Sequence, residues 1–255
     1  MTATDPAATF RARLRERQRL VGTFVKTPAP VVCEVLAGSG LDLLTLDAEH
    51  APFGRAELDG CLAICRALGM PTLVRVPAAE PAQLLNALDC GASGVLVPHV
   101  RTAAEAEAAV RACHYGAGGR GYSGSTRAAG FAGRTIAEQL ARGREGSAVI
   151  LQVEDAEAVD EAGRIAAVPG VDALFIGRVD LTVSLGCTRT DAPLVVEAVE
   201  RICAAAARVG TAVGMFVADP AEARQWTAHG ASLFILGSDQ GFLLSGARAL
   251  VEAVR

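Results

Sequence analysis

The chain is almost without lysine. Of its 24 basic residues only Lys26 is a lysine, and the others are arginines. A Schiff-base mechanism therefore runs through Lys26 or is excluded. A Walker-type phosphate loop is excluded too, because the Gly-rich stretch has no lysine to offer. Aromatic residues make up 4% of the chain, too few for base-stacking platforms. There is no basic stripe either, so no nucleic-acid partner is expected. No apolar run approaches the roughly 18 residues that a membrane helix needs, so no membrane partner is expected. The seven cysteines, at positions 33, 61, 65, 90, 113, 187 and 203, are odd in number and form no CxxC pair. Most lie in apolar helical patterns and read as free thiols in a reducing cytoplasm. Met1 to Arg19 is basic, but it carries Asp5 and Glu16 and has no apolar core. It reads as a short helix, capped by Asp5 with Pro6 at the first position, rather than as a targeting segment.

What the chain has in quantity is apolar sequence, 51% of 255 residues with a net charge of only −4. Short apolar runs alternate with helical spacing from end to end. The expected strands are 20–25, 41–46, 71–76, 94–98, 148–153, 173–176, 212–217 and 233–236. The expected helices between and after them are 30–36, 55–68, 81–88, 103–113, 156–167, 194–209, 220–228 and 242–254, with a further short helix near 135–144. Eight strand–helix units at this length predict a (β/α)8 TIM barrel, a single domain over 1–255 with an N-terminal helix. A doubly wound open sheet is the weaker alternative, since it usually has fewer strands at this length. Residues 116, 118 and 121 match GxGxxG in form. They follow a helix rather than a strand, so no dinucleotide site is expected there.

In such a barrel the functional rim is the carboxyl end of the strands. The most informative stretch is Leu43-Leu44-Thr45-Leu46-Asp47-Ala48-Glu49-His50-Ala51-Pro52. An apolar run ends there in two carboxylates and an imidazole, which are costly to desolvate without partners. The other rim positions offer Lys26, Arg75, His99, Gln152, Glu154 and Asp180, with little beyond Ser238 and Asp239 at the last strand. Glu154 and Asp180 come from adjacent strands. With Gln152 nearby and no thiolate, they form an oxygen-only set suited to a hard divalent cation. The competing reading is that Asp180 caps a helix and Glu154 pairs with an arginine. Arg75 emerges from an apolar strand and offers a planar fork for a carboxylate. The alternative is an internal ion pair with Asp47 or Glu49. His50, beside acids, is placed to act as a general base near neutral pH, or it is a hydrogen-bonded structural histidine.

Taken in order, these segments resemble the HpcH/HpaI aldolase family of metal-dependent pyruvate aldolases. The matching residues are Leu46 to Pro52, Val74-Arg75-Val76, Leu96-Val97-Pro98-His99-Val100, Gly119-Arg120-Gly121, Gln152-Val153-Glu154 and Gly177-Arg178-Val179-Asp180-Leu181. The resemblance implies a barrel of the phosphoenolpyruvate/pyruvate type whose last helix is swapped between two subunits, with dimers assembling into hexamers. It implies a reversible aldol reaction of a 2-keto acid with an aldehyde through a metal-bound enolate. Glu154 and Asp180 would be the metal ligands, for Mg²⁺ or Mn²⁺, with Co²⁺ a further candidate. Arg75 would stabilise the enolate, and Gln152 would meet the keto acid, as would Gly177, Arg178 and Val179. His50 would be the base, oriented by Asp47 and Asp89. The chain departs from the family pattern at Arg178, where proline is usual, and mildly at Ala48 for glycine. A related implication, weaker here because of the match at 47–52, is a CoA-thioester lyase of the malyl- or citryl-CoA type. A Schiff-base enzyme using Lys26 and a barrel recruited for binding alone remain as other readings.

Overall fold

A computed structural model describes residues 5–255, so Met1 to Thr4 of the expected N-terminal segment lie outside the described residues. Eight strands form a closed parallel barrel in sequence order: β1 (Leu20–Val25), β2 (Leu43–Asp47), β3 (Thr72–Arg75), β4 (Gly94–Val97), β5 (Ala148–Val153), β6 (Ala173–Ile176), β7 (Ala212–Val217) and β8 (Ala231–Ser238). β1 also pairs with β8 and closes the ring. The helices are α1 (Pro6–Arg15), α2 (Pro30–Ala37), α3 (Arg55–Ala67), α4 (Pro81–Asp89), α5 (Ala103–Cys113), α6 (Ile136–Gly146), α7 (Ala158–Ala166), α8 (Arg178–Ser184), α9 (Pro193–Val209), α10 (Pro220–Ala228) and α11 (Asp239–Val254). Each predicted strand is present within two residues of its expected bounds. The (β/α)8 barrel is the fold, and the open sheet is excluded. α8 was not anticipated. α11 begins three residues earlier than expected, because the Ser238 hydroxyl accepts the Gly241 N–H and caps it.

The strands alternate between two cores. Leu44, Leu46, Val74, Val95, Val149, Leu151 and Leu174 face outward and pack under the helices. Leu20, Phe24, Leu43, Leu73, Leu96, Ile150, Phe175 and Ile235 face the barrel interior, joined by Phe10 and Leu14 of α1. α1 closes the end of the barrel where the strands begin. Asp5 caps it and Pro6 opens it, as read from the sequence. Its Arg11 and Arg15 pair with Asp172, which directly precedes β6, and its Arg13 pairs with Asp42, which precedes β2.

The same alternation places the chemistry. Along β2 the inward positions are Leu43, Thr45 and Asp47; along β3 they are Leu73 and Arg75; along β5 they are Ala148, Ile150 and Gln152. Apolar residues fill the lower layers of these three strands, and a polar residue takes the last inward position of each, whereas β1, β4 and β6 end inward in Phe24, Leu96 and Phe175. The register sets Asp47 opposite Arg75 and Gln152 opposite Phe175. All seven cysteines are free.

Candidate active site

At the carboxyl end of the strands lies a cavity of about 380 Å³. Lys26, His50, Arg75, Gln152 and Asp180 supply its polar side chains, and Phe24, Phe175 and Phe216 its apolar wall. Gly177, Arg178 and Val179 after β6, Gly237 and Ser238 at the end of β8 and Gly241 of α11 complete the rim.

Asp47 is fully buried at the base of this rim. Its carboxylate accepts a forked pair from Arg75, Nε at 2.9 Å and Nη2 at 2.8 Å. It also accepts the N–H groups of His50 and Glu49 and stands 3.4 Å from the Lys26 ammonium. Burial alone would push its carboxyl up. The Arg75 guanidinium outweighs that and holds it below the usual range. The internal ion pair weighed for Arg75 is therefore real in this structure. The guanidinium nonetheless borders the cavity, 4.5 Å above the Phe24 ring, and its Nε also lies 3.3 Å from Glu49.

Glu49, the other ion-pair partner expected for Arg75, lies 3.3 Å from it. It stands on the same side of the chain as Asp47, two residues on. Its Oε2 is buried without a hydrogen-bond partner. Burial pushes its carboxyl up, against the pull of Arg75 and His99. His50 is half-exposed, with Nε2 3.7 Å from Glu49 Oε2. Asp47 grips the His50 backbone, not the ring. Asp89 does not reach His50 within this chain; it pairs with Arg120 and lines a separate concavity with Arg55, Asp59 and Arg127.

Glu154 sits behind the cavity wall, 2% exposed. It accepts the His99 N–H at 2.9 Å and a hydrogen bond from the Gln152 amide nitrogen. Burial pushes its carboxyl up, and the negative charge of Asp180 pushes the same way. Gln152 Oε1 is buried without a partner. His99 adopts φ +53°, which turns its N–H onto Glu154 and its ring toward Asp155 and Glu154, at 3.2 and 3.4 Å. Burial opposes the charged imidazole, but those carboxylates dominate and raise its pKa. Gly177 leaves room for this cluster: a Cβ there would lie 2.5 Å from Glu154 Oε2 and 3.1 Å from Gln152 Nε2.

Asp180 lies in the first turn of α8, exposed, and among the described residues its carboxylate has no hydrogen-bond or ion-pair partner. It is therefore not a cap satisfied by its own helix, and Glu154 is not paired to an arginine. The two carboxylates and the orphaned Gln152 oxygen form a hard-oxygen set that repels itself in the absence of a cation. Among the described residues no cluster of three or more His, Cys, Asp or Glu side chains gathers into a full cage. Two carboxylates with the remaining positions open suit an ion such as Mg²⁺, which keeps waters and binds substrate oxygens.

The Arg178 guanidinium is engaged by α10 and offers no free fork to a substrate carboxylate. The guanidinium makes a forked pair with Glu222 of α10, at 3.0 and 3.1 Å, and lies over the Trp226 ring. Arg178 still lines the cavity, with its guanidinium committed to α10.

A family model described as HpcH/HpaI aldolase/citrate lyase matches residues 20–245. The chain is similar to a hydroxypyruvate/pyruvate aldolase of Paraburkholderia phytofirmans, 35% identical over 262 residues that cover 100% of this chain and 99% of the relative. It is similar to a 5-keto-4-deoxy-D-glucarate aldolase of Shigella dysenteriae, 34% identical over 248 residues, 96% of each chain. A crystal structure of an HpcH/HpaI aldolase/citrate lyase family protein from Burkholderia cenocepacia superposes with a TM-score of 0.92 at 38% identity, covering 97% of this chain and 99% of that one.

Proposed function

The chain belongs to the HpcH/HpaI aldolase/citrate lyase family, and from that premise we propose that it catalyses a reversible aldol reaction between a pyruvate-type 2-keto acid and an aldehyde. It is a carbon–carbon lyase, of the kind its relatives' names describe. The observation that carries the site assignment is the pairing of surplus carboxylate with a forked cation across one cavity: Glu154 and Asp180 on one side, Arg75 on the other. The CoA-thioester reading has less support, since these relatives are named for keto-acid substrates.

Glu154 and Asp180 would hold a divalent ion, Mg²⁺ or Mn²⁺ by the hardness of the donors. When bound, that ion would draw electron density from the keto oxygen and acidify the adjacent methyl group. The chain's own residues do the rest. Arg75 is oriented by Asp47 through Nε and Nη2, which leaves Nη1 to meet the oxygen on which negative charge develops. Gln152 is held by Glu154 through one N–H of its amide, and its second N–H is the donor available to a keto-acid oxygen. His50, half-exposed at the mouth and tethered through its backbone by Asp47, accepts the proton leaving the methyl carbon. The resulting enolate attacks the aldehyde, and the reverse path cleaves the same bond. Phe24, Phe175 and Phe216 limit water around the enolate.

The test is proton NMR of pyruvate in D₂O with the purified protein. Metal-dependent loss of the methyl signal is expected with Mg²⁺ or Mn²⁺ and should stop with EDTA. Exchange that survives EDTA would move the chemistry to Lys26. No exchange in either condition would reject a pyruvate donor.

The proposal extends to a dimer-based homo-oligomer, a hexamer by the family pattern. Its support is an apolar concavity between α2 and α11 lined by exposed Val31, Val35, Phe242 and Leu243, the kind of surface that marks an interaction site. Among the described residues no helix is long and apolar enough to cross a membrane, and seven free thiols suit a reducing cytoplasm.

A further inference from the structure

Arg178 is the first residue of α8, with Gly177 as its N-cap. Proline is favoured at that position because its fixed φ pre-sets the first turn. An arginine supplies no such local stiffness. Here its side chain is pinned instead from outside. Nη1 and Nη2 pair with the two Glu222 oxygens at 3.1 and 3.0 Å, and the guanidinium carbon lies 5.4 Å from the Trp226 ring centroid. The side chain is 7% exposed, so this is a seated contact and not a surface ion pair. Glu222 and Trp226 both belong to α10, which packs on β7 and β8. The contact thus ties the turn after β6 to a helix beyond the next strand.

That turn carries Asp180, whose carboxylate is otherwise unrestrained. It also carries Gly177, pressed against Glu154 and Gln152. We propose that the Arg178–Glu222 pair, seated on Trp226, is a latch that fixes Asp180 at its working distance from Glu154, so that Arg178 and Glu222 are positioning residues for the metal and keto-acid site. The inference rests on the aldolase reading of that site. It assigns the departure at Arg178 a purpose: rigidity taken from a long-range ion pair rather than from the local chain. Loss of a group that orients a metal ligand typically weakens metal affinity about 10–100-fold.

The experiment compares Arg178→Gly with Arg178→Pro. Both remove the guanidinium and leave the same space above Trp226. Only proline restores stiffness to the turn. Mn²⁺ affinity is measured by calorimetry on the purified full chain, and pyruvate turnover is split into KM and kcat. Arg178→Gly should bind Mn²⁺ about tenfold more weakly than wild type and raise KM for the keto acid, with kcat at saturating metal falling by less than about threefold. Arg178→Pro should recover most of that loss. Glu222→Ala should resemble Arg178→Gly, and adding Arg178→Pro to it should rescue it. A merely structural pair would lower melting temperature without moving Mn²⁺ affinity. Equal affinities for the Gly and Pro variants, with wild type binding tightly, would overturn the latch alone. A wild-type protein that binds no Mn²⁺ would overturn the latch together with the site it serves.

Discussion

The two ends of this barrel both bury charge, and they do so differently. At the end where the strands begin, Asp172 is buried and fully answered: Arg11, Arg15 and the Val149 N–H all donate to it, at 2.6 to 3.0 Å. At the end where the strands finish, Asp47 is answered by the Arg75 fork, but the polar groups around it are answered only in part. Glu49 keeps a buried oxygen without a hydrogen bond, Gln152 keeps another, and Asp180 has no partner among the described residues. Burying unsatisfied polar groups is costly. One end of the barrel spends stability to hold charge ready, while the other uses charge to fasten a helix. The same residue types therefore read as structure or as chemistry according to whether their partners are all present within the chain.

The sharpest way to break the comparison is to neutralise one carboxylate at each end. Asp172→Asn removes the charge and one of the two acceptor oxygens that serve Arg11 and Arg15, and it leaves Arg11 buried without its counter-charge. It should cost about 3–5 kcal/mol, roughly 10 °C in melting temperature for a chain of this size. Glu154→Gln should do the opposite. Activity should fall by at least about a hundredfold, while the metal-free protein melts no lower than wild type, because a repelled carboxylate has been removed. Activity assays and thermal melts in EDTA give both readings. A Glu154→Gln protein that melts far below wild type would place this residue with Asp172.

Arg75→Lys keeps the charge beside Asp47 and removes the fork. We expect kcat/KM for the keto acid to drop about 10- to 100-fold with a modest loss of stability. The Asp47 carboxyl should rise toward its ordinary range, visible by carbon NMR of labelled aspartate. Unchanged kinetics would mean that Arg75 serves Asp47 only, as Arg11 serves Asp172.

The ends should also differ in their response to pH. Glu49 and Glu154 have raised folded-state pKa values. Their contribution to stability is full below the unfolded value, about 4.3, and is lost as pH rises through the folded value. His99, also raised, acts in the same sense: its contribution is full below about 6.5 and is lost above. Asp47, which is lowered, contributes above about 3.9 and loses its contribution only in stronger acid. The metal-free protein should therefore melt higher near pH 5 than near pH 8. Glu154→Gln should flatten that slope. A melting temperature that rises steadily from pH 5 to 8 would contradict the reading of the rim as self-repelling.

Much of this was legible in the sequence, for physical reasons. Short apolar runs that end in polar residues are a local pattern, so the strand positions and the place of Asp47, Arg75 and Gln152 at the carboxyl-end rim followed from it. The capping chemistry of Asp5-Pro6 is local as well. What could not be read was long-range or conformational. α8 is a single short stretch without helical periodicity, so Asp180 was placed only near a strand end. The partner of Arg178 lies on α10, 44 residues away, and no local pattern announces it. The left-handed φ of His99, which turns its N–H onto Glu154, leaves no trace in residue type. Asp89 was tied to His50 by resemblance alone, and its partner within the chain is Arg120. Glu49 did carry a signal, since it stands two residues from Asp47. Its contact with Arg75 was legible from that spacing, but the oxygen left without a hydrogen bond depends on the tertiary packing around it.

The smallest expected effect belongs to the chain's one lysine. Lys26 stands 3.4 Å from Asp47 Oδ2, farther than Arg75, and its side chain is about 30% exposed at the cavity. Its backbone is fixed, because the Lys26 and Thr27 N–H groups both donate to Asp239 at the start of α11. The stem is thus rigid and the ammonium only loosely held. Lys26→Met keeps the stem and removes the charge. If the chemistry runs through Glu154 and Asp180, pyruvate methyl exchange should change by less than about fivefold, as for loss of a partly exposed ion pair worth under about 1 kcal/mol. Borohydride with pyruvate should trap no adduct in the wild type. If Lys26 instead formed a Schiff base, the same substitution would abolish exchange and the wild type would gain the mass of reduced pyruvate on Lys26. Either result places this residue: with the groups that tune a metal-dependent rim, or at the centre of a different mechanism altogether.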